Sequence, residues 1–191
     1  MATRLLGFLI LLSMAFPAFA AEVAGVKLAD KDRVANSELL LNGAGLRKRA
    51  FFQVYAIGLY LPERKTAAAE AVAATGPKRV AIHMLRDVEA GEFAGALVNG
   101  MKDNLSEAEM KAFEPRVKQL SAIMGEMKEA KKGMRITLDW LPAAGTQMTV
   151  EGKPAGAPIP GEDFYRALLR IWLGEKPVQD DLKKALLGEK Q

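Results

Sequence analysis

The sequence predicts a domain of the α+β class. Residues 51–61 form an aromatic and β-branched run that is typical of a strand, and residues 106–127 carry apolar side chains at helical spacing. Strand-like and helix-like segments do not alternate regularly, as they would in a doubly wound α/β fold. With 191 residues, of which 50% are apolar and 26% charged, one globular domain is expected.

Composition excludes several classes of functional site. The chain has no cysteine, which excludes disulfides, thiol nucleophiles and thiolate metal centres. Its single histidine, His83, excludes a metal site built on a histidine pair, and its position on a predicted strand favours a structural role. The net charge is only +4, and the basic residues are scattered among acidic ones, so nucleic acid is not an expected partner.

The N-terminus has the anatomy of a secretory signal peptide. One basic residue, Arg4, precedes an apolar stretch over residues 5–19, and the segment ends in a small-residue A-x-A sequence at residues 18–20. As a helix the stretch would span roughly 22 Å, which is short for a bilayer core of ~30 Å. We therefore expect cleavage after residue 20, with an uncleaved membrane anchor as the alternative. A domain over residues 21–191 without cysteines suits a bacterial periplasm.

The first half of this domain is predicted to contain three strand regions. Residues 23–34 predict a strand and turn, and residues 37–47 continue into a glycine-containing segment. The run at 51–61 is apolar on both faces, which predicts an interior strand covered on each side. A further strand is predicted at 79–86, after an alanine-rich helix that Thr66 would cap.

The second half is predicted to contain four helices and a hairpin. A helix at 91–105 is followed by a capping box at 106–109, which opens a helix that Pro115 should kink or restart. Residues 134–141 and 146–151 predict a β-hairpin, and the Gly/Pro-rich stretch 152–161 predicts a loop. Helices at 162–173 and 178–187 complete the chain.

Three stretches in order resemble the chalcone isomerase-like family. They are the GAGLR sequence at residues 43–47 followed by YAIGLYL at 55–61, the helix that runs into SEAE at 106–109, and ALLRIWLG at 167–174. Together the resemblance covers most of residues 22–188. It implies an open-faced sandwich, in which an antiparallel sheet carries a layer of helices on one face and a ligand cleft lies between them. It implies no cofactor and no metal.

The resemblance also identifies where the plant isomerases carry five polar active-site residues. The arginine of their GAGxR element is Arg47 here, and their threonine before AIG is Tyr55. Their tyrosine and asparagine match Asp87 and Ala94, and the serine or threonine of their late helix matches Ile171. One of the five polar positions is therefore retained, and efficient chalcone cyclisation is not expected, because each lost donor costs a few kcal/mol of barrier.

The tyrosine before AIG resembles the fatty-acid-binding branch of the family, in which an arginine and a tyrosine hold a carboxylate. Arg47 would offer paired N–H donors, and Tyr55 would add a neutral third donor. The two residues are eight positions apart, ~26 Å if fully extended, so they can share a ligand only if the chain reverses between them. The alternatives are a solvated Arg47 in a basic turn and a core Tyr55.

The sequence thus predicts an exported, non-catalytic protein that binds an apolar small molecule with an anionic head, such as a fatty acid, at Arg47 and Tyr55. One alternative is an isomerase of unknown substrate, with Arg47 as electrophile and Tyr55 as acid. Another is an interaction protein that retains only the fold.

Overall fold

A computed structural model describes residues 21–189, so the predicted signal peptide lies outside the described residues. The strands are β1 (Ala21–Val23), β2 (Val26–Leu28), β3 (Lys31–Val34), β4 (Ser37–Arg49), β5 (Phe52–Leu61), β6 (Lys78–Met84), β7 (Val88–Glu89), β8 (Glu129–Ala130), β9 (Arg135–Leu141), β10 (Gly145–Val150) and β11 (Lys153–Ile159). The helices are α1 (Ala68–Ala73), α2 (Ala90–Asn104), α3 (Glu107–Gly125), α4 (Glu162–Leu173) and α5 (Asp180–Leu186).

The centre of the molecule is one seven-stranded antiparallel sheet. Its strand order is β11-β10-β9-β6-β5-β4-β3, while β1 pairs with β2 and β7 pairs with β8 outside it. Helices α2, α3 and α4 pack on one face of the sheet, and their apolar side chains form the main core with those of β5, β6 and β9. The predicted α+β class, with a helix layer on one face of an antiparallel sheet, is confirmed.

Strand β5 lies inside the sheet and is covered on both faces, as its two apolar faces predict. Tyr55, Ile57 and Leu59 belong to the main core beneath the helices. Tyr60 points to the other face and packs in a smaller apolar cluster with Leu28, from the β1–β2 hairpin. This interior position fixes which face each side chain of β5 occupies, because neighbouring residues of a strand point to opposite sides.

Strands β4 and β5 form a long hairpin whose turn lies at Ala50 and Phe51. Ala50 adopts a φ of 52°, in the left-handed region that a tight reversal requires. The ladder shifts register between Arg47 and Lys48, which places a bulge just before the turn. The GAGLR sequence is therefore part of a 13-residue strand rather than a turn of its own.

The capping box that opens α3 is confirmed. The Ser106 hydroxyl accepts a hydrogen bond from the Glu109 backbone N–H, and the Glu109 carboxylate accepts one from the Ser106 backbone N–H. Pro115 lies inside α3, which runs as one helix from Glu107 to Gly125, so the predicted restart is wrong. The packing of Phe113 and Val117 on either side of the proline holds the helix to the core.

Two other local predictions are wrong for identifiable reasons. Thr66 does not cap α1, whose N-cap is Ala67, because the Asn42 amide oxygen accepts the Lys65 N–H at 2.6 Å and holds this segment in a loop. The stretch predicted as a loop at 152–161 contains β11, which pairs with β10 alone. At a sheet edge the missing N–H groups of Pro154 and Pro158 cost little, so prolines are tolerated there.

The single strand predicted near residues 23–34 is three short strands. Ala24, Gly25 and Ala35 have positive φ angles, and the chain turns at these positions. No helix among residues 21–189 is long and apolar enough to cross a membrane.

Candidate functional site

A cavity of about 380 Å³ lies between one end of the β4–β5 hairpin and the helix layer. Its walls come from β4, β5, α2 and α4 and from the segments that follow β6 and α4. This volume is at the lower end of the range for small-molecule sites, roughly 300–1,000 Å³. The cavity occupies the position at which the sequence predicts a ligand cleft.

Arg47 and Tyr55 both line this cavity, and the hairpin brings them together. They are direct partners in the antiparallel ladder between β4 and β5. In such a ladder, opposite Cβ atoms lie about 5 Å apart, so the two side chains stand next to each other on one face. The chain reversal that a shared site requires is therefore present, at Ala50 and Phe51.

The Tyr55 hydroxyl acts as a hydrogen-bond acceptor at the wall of the cavity. It accepts a hydrogen bond of 3.0 Å from the Trp172 indole N–H of α4, and its ring packs against Phe93 with centroids 6.2 Å apart. Burial raises the pKa of the Tyr55 phenol, and the indole N–H and the nearby Arg47 guanidinium oppose that rise. Because both neighbours are donors, the phenol keeps its own O–H available for an acceptor in the cavity.

Gln179, the residue before α5, positions Arg47. Its Oε1 accepts hydrogen bonds from Arg47 Nη1 at 3.2 Å and from the Lys48 backbone N–H at 2.8 Å. Its Nε2 donates to the Leu46 carbonyl at 2.9 Å. Arg47 Nη1 also donates to the Lys48 carbonyl at 2.7 Å. The Gln179 side-chain amide thus bonds to the backbone on both sides of the bulge and fixes the Arg47 guanidinium. The other N–H groups of the guanidinium are left for the Tyr55 oxygen and a ligand.

The rest of the cavity is mostly apolar. Apolar side chains from β5, α2, α4 and the segment after α4 contribute to its lining, among them Val54, Phe93, Leu97, Ile171 and Val178. Of the positions matched to the plant active site, Asp87 and Ile171 line the cavity, whereas Ala94 is buried in α2 outside its lining. At Ile171 an apolar side chain takes the place of the plant hydroxyl, which extends the apolar part of the lining.

Charged residues surround the opening of the cavity. Arg49 and Glu92 form an exposed ion pair of 2.6 Å between β4 and α2. The Arg86 guanidinium lies over the Phe52 ring, 4.5 Å from its centroid. Both cations are exposed, so the opening can be reached from water while the interior stays apolar.

Among residues 21–189, neither a metal site nor a histidine base is found at this cavity. Residues 21–189 contain no cluster of three acidic, histidine or cysteine side chains that could hold a metal ion. His83 lies on β6 between Ile82 and Met84, whose side chains belong to the core on the cavity side, so His83 points to the opposite face. Burial lowers its pKa.

Two of the residues that shape the site were not predicted to do so. The bond from the Trp172 indole N–H to the Tyr55 hydroxyl joins positions 117 apart in the sequence. Gln179 carries no motif, and its bond to Arg47 joins positions 132 apart. The family-like pattern at residues 167–174 is the only local signal near either of them.

We expect the tyrosines of the native protein to resist ionisation at alkaline pH. The chain has three tyrosines, and burial raises the pKa of each, that of Tyr60 to about 12. Unfolded tyrosine titrates near pH 10, so the folded state binds more protons above that pH. The stability these groups contribute is therefore present below about pH 10 and is lost as the pH rises through each raised pKa, which for Tyr60 is about 12.

The expected result is one cooperative transition in which tyrosinate absorbance and loss of circular dichroism coincide. Lys78, whose pKa burial lowers, acts in the opposite direction, but it is one group against three. Ionisation of all three tyrosines near pH 10 with the fold intact would contradict the prediction.

Comparison with known proteins agrees with the fold. The family model described as chalcone isomerase-like matches residues 20–188. No curated protein matches the sequence significantly. Among solved structures, the fold is similar to that of the Arabidopsis thaliana fatty-acid binding protein AtFAP1, with a TM-score of 0.66 and 15% sequence identity, over 85% of this chain and 92% of that one. The chain belongs to the chalcone isomerase-like family.

Proposed function

We propose that this protein is an exported member of the family that binds an apolar ligand with an anionic head, such as a fatty acid, without converting it. The observation that carries the proposal is the pairing of Arg47 and Tyr55 at the wall of an otherwise apolar cavity. Arg47 supplies the positive charge, and Tyr55 supplies a neutral donor.

The arrangement suits a carboxylate for geometric reasons. A guanidinium presents N–H groups in a planar fork that can bind both carboxylate oxygens, and such charge-assisted bonds are about twice as strong as neutral ones. The Tyr55 O–H, which neither Trp172 nor Arg47 can accept, adds a third donor. Gln179 keeps the guanidinium in place, so little side-chain freedom is lost when a ligand binds.

The apolar lining suits the remainder of such a ligand. An acyl chain that leaves the head group would lie along Phe93, Leu97 and Ile171, between the sheet and α2 and α4. Burial of each methylene group is favourable by about 0.8 kcal/mol. The similarity in fold to the fatty-acid binding protein AtFAP1 supports this ligand class.

The direct test is to purify the protein without denaturation and identify what it carries. Mass spectrometry of an organic extract should detect acyl chains in stoichiometric amount, and the Arg47→Ala variant should carry less. An extract without any acid-headed apolar molecule, together with no uptake of added fatty acid, would reject the proposal.

We also expect that the protein does not cyclise chalcone. Three of the four replaced positions, Tyr55, Asp87 and Ile171, line the cavity without reproducing the plant donor set. Rates measured by chalcone absorbance should equal the spontaneous rate. A saturable enhancement of more than about a thousandfold, some 4 kcal/mol of barrier, would instead favour the isomerase alternative.

Export makes a separate prediction about the N-terminus. Because residues 1–20 have signal-peptide anatomy, the secreted chain should begin near Ala21. Edman sequencing or intact-mass measurement of protein recovered outside the cytoplasm checks this. Recovery of a chain that starts at Met1 or Ala2 would show that the segment is retained.

A further inference from the structure

The tip of the β4–β5 hairpin exposes two adjacent aromatic side chains. Within residues 21–189, the large apolar side chains that lie exposed are Phe51, at 99%, and Phe52, at 58%. Both are at the turn, and Phe51 is not among the residues that line the cavity. Two neighbouring phenylalanines held in water at the end of a rigid hairpin indicate a surface that contacts something apolar.

Basic residues surround these rings. Lys48 and Arg49 precede them on the hairpin, and Arg86 covers one face of Phe52. The loop at residues 131–133 is joined to the same end of the sheet, because the Gly133 N–H donates to the Met84 carbonyl at 2.8 Å. Residues 48–52, 86–87 and 131–133, here called the tip surface, contain five cations and one carboxylate: Lys48, Arg49, Arg86, Lys131 and Lys132 against Asp87.

The tip surface is continuous with the opening of the cavity. Arg49, Phe52 and Arg86 belong to both. If the two phenylalanine rings contact an apolar phase, a molecule that leaves that phase would therefore reach the cavity without first crossing bulk water. Glu92, an acidic residue at this opening outside the tip surface, pairs with Arg49 and so offsets one of the five cations.

We infer that the tip surface docks on a lipid bilayer containing anionic phospholipids. Phenylalanine rings insert at the boundary between head groups and acyl chains, and basic side chains around them bind lipid phosphates. Both features occur together on the tip surface. Transfer of a fatty acid between the bilayer and the cavity rests on the proposed function, whereas docking itself does not.

Co-sedimentation with vesicles tests the docking. The purified protein should bind phosphatidylcholine vesicles that contain phosphatidylglycerol, and binding should weaken when salt screens the charges. Phe51→Ser should lower the partition coefficient by about tenfold or more. Lys48→Gln should lower it about fivefold, since each cation near such a surface contributes about 1 kcal/mol. All variants share the same N-terminus, so its apolar segment does not confound the comparison.

Arg64→Gln is the matched control. Arg64 is exposed and follows the far end of β5, about 30 Å from the tip at the rise of a strand. Arg64→Gln removes one positive charge, as Lys48→Gln does, and should leave partitioning into vesicles unchanged. Loss of binding in both variants to the same extent would show that only net charge matters, which overturns the assignment to the tip.

Phe51→Trp gives a direct signal from the tip. Its indole should shift its emission to shorter wavelength with anionic vesicles and not with neutral ones. The native Trp140 and Trp172 are buried and should contribute little change. Equal partitioning of Phe51→Ser and the unaltered protein would overturn the inference, as would a lipid-free dimer that Phe51→Ser abolishes, because a second copy would then cover the rings.

The outcome is distinguishable from failure of the proposed function. Phe51→Ser should keep its equilibrium affinity for free fatty acid, because Phe51 does not line the cavity, while its uptake from anionic vesicles should slow. Vesicle binding without any fatty-acid binding would reject the proposed ligand and leave docking intact. Fatty-acid binding with no difference between vesicle types would reject docking alone.

Discussion

Arg47→Ala is expected to weaken fatty-acid binding by roughly ten- to 150-fold, a loss of about 1.5–3 kcal/mol. The variant removes the charge that faces the carboxylate and leaves Gln179 Oε1 with its bond from Lys48 alone. Isothermal titration with one saturated fatty acid measures the effect. Arg47→Lys should also bind more weakly than the unaltered protein, because an ammonium group cannot reproduce the planar fork.

Tyr55→Phe should have a smaller effect on affinity and a measurable effect on stability. The lost phenol is one donor to the ligand, but it is also the acceptor for the Trp172 N–H, which is buried with it. An unpaired buried N–H costs about 1–3 kcal/mol of folding free energy. A hydroxyl that faced only the ligand would leave stability unchanged, whereas the bond from Trp172 leads us to expect a loss.

The pair of variants therefore separates binding from folding. Thermal melts should show a larger loss of stability in Tyr55→Phe than in Arg47→Ala, and titrations should show the opposite order for affinity. Unaltered affinity in Arg47→Ala would exclude Arg47 as the head-group ligand, whatever its stability.

The largest expected effect on stability is that of Gly43→Ala. A Cβ atom at Gly43 would collide with the carbonyl oxygen of Ala185 and lie 2.6 Å from that of Leu186. Both obstacles are backbone of α5, so the helix itself must move. We expect a loss of about 3 kcal/mol or more, a drop of roughly 10 °C in Tm for a chain of this size.

Gly95→Ala is the control for Gly43→Ala. Gly95 lies within α2, and a Cβ there meets no atom within 4 Å. Since alanine is the better helix former by about 1 kcal/mol, this variant should be as stable as the unaltered protein or more so. Gly43→Ala should also weaken fatty-acid binding, because displacement of α5 moves Gln179 away from Arg47. A Gly43→Ala protein that melts normally would refute the close packing of β4 and α5.

Local patterns predicted the elements that depend on neighbouring residues. The capping box at Ser106 and the two apolar faces of β5 are properties of a few consecutive residues, and the structure has both. The prediction of a loop at 152–161 was wrong, because β11 is a strand through its pairing with β10 rather than through its own residues. The cap predicted at Thr66 was wrong for a similar reason, because Asn42 on β4 accepts a hydrogen bond from the Lys65 N–H and holds that segment.

The candidate site also combines residues that could be predicted from the sequence with residues that could not. Arg47 and Tyr55 were found through a resemblance, and their pairing needs only a hairpin between positions close in sequence. The bonds from Trp172 and Gln179 join distant parts of the chain, and no periodicity or spacing in the sequence marks them. Long-range hydrogen bonds of this kind follow from the packing of α4 and α5, which only the folded structure defines.

Trp172 and Gln179, which contact Tyr55 and Arg47, come late in the chain, and this limits when the protein could bind a ligand. The hairpin that carries Arg47 and Tyr55 lies in the first third of the chain, whereas Trp172 and Gln179 lie in its last twenty residues. A chain still in synthesis, or one still crossing a membrane from its N-terminus, would present the two donors without the residues that orient them. If the proposed function holds, ligand capture therefore belongs to the completed protein, in whichever compartment its C-terminal end finally folds.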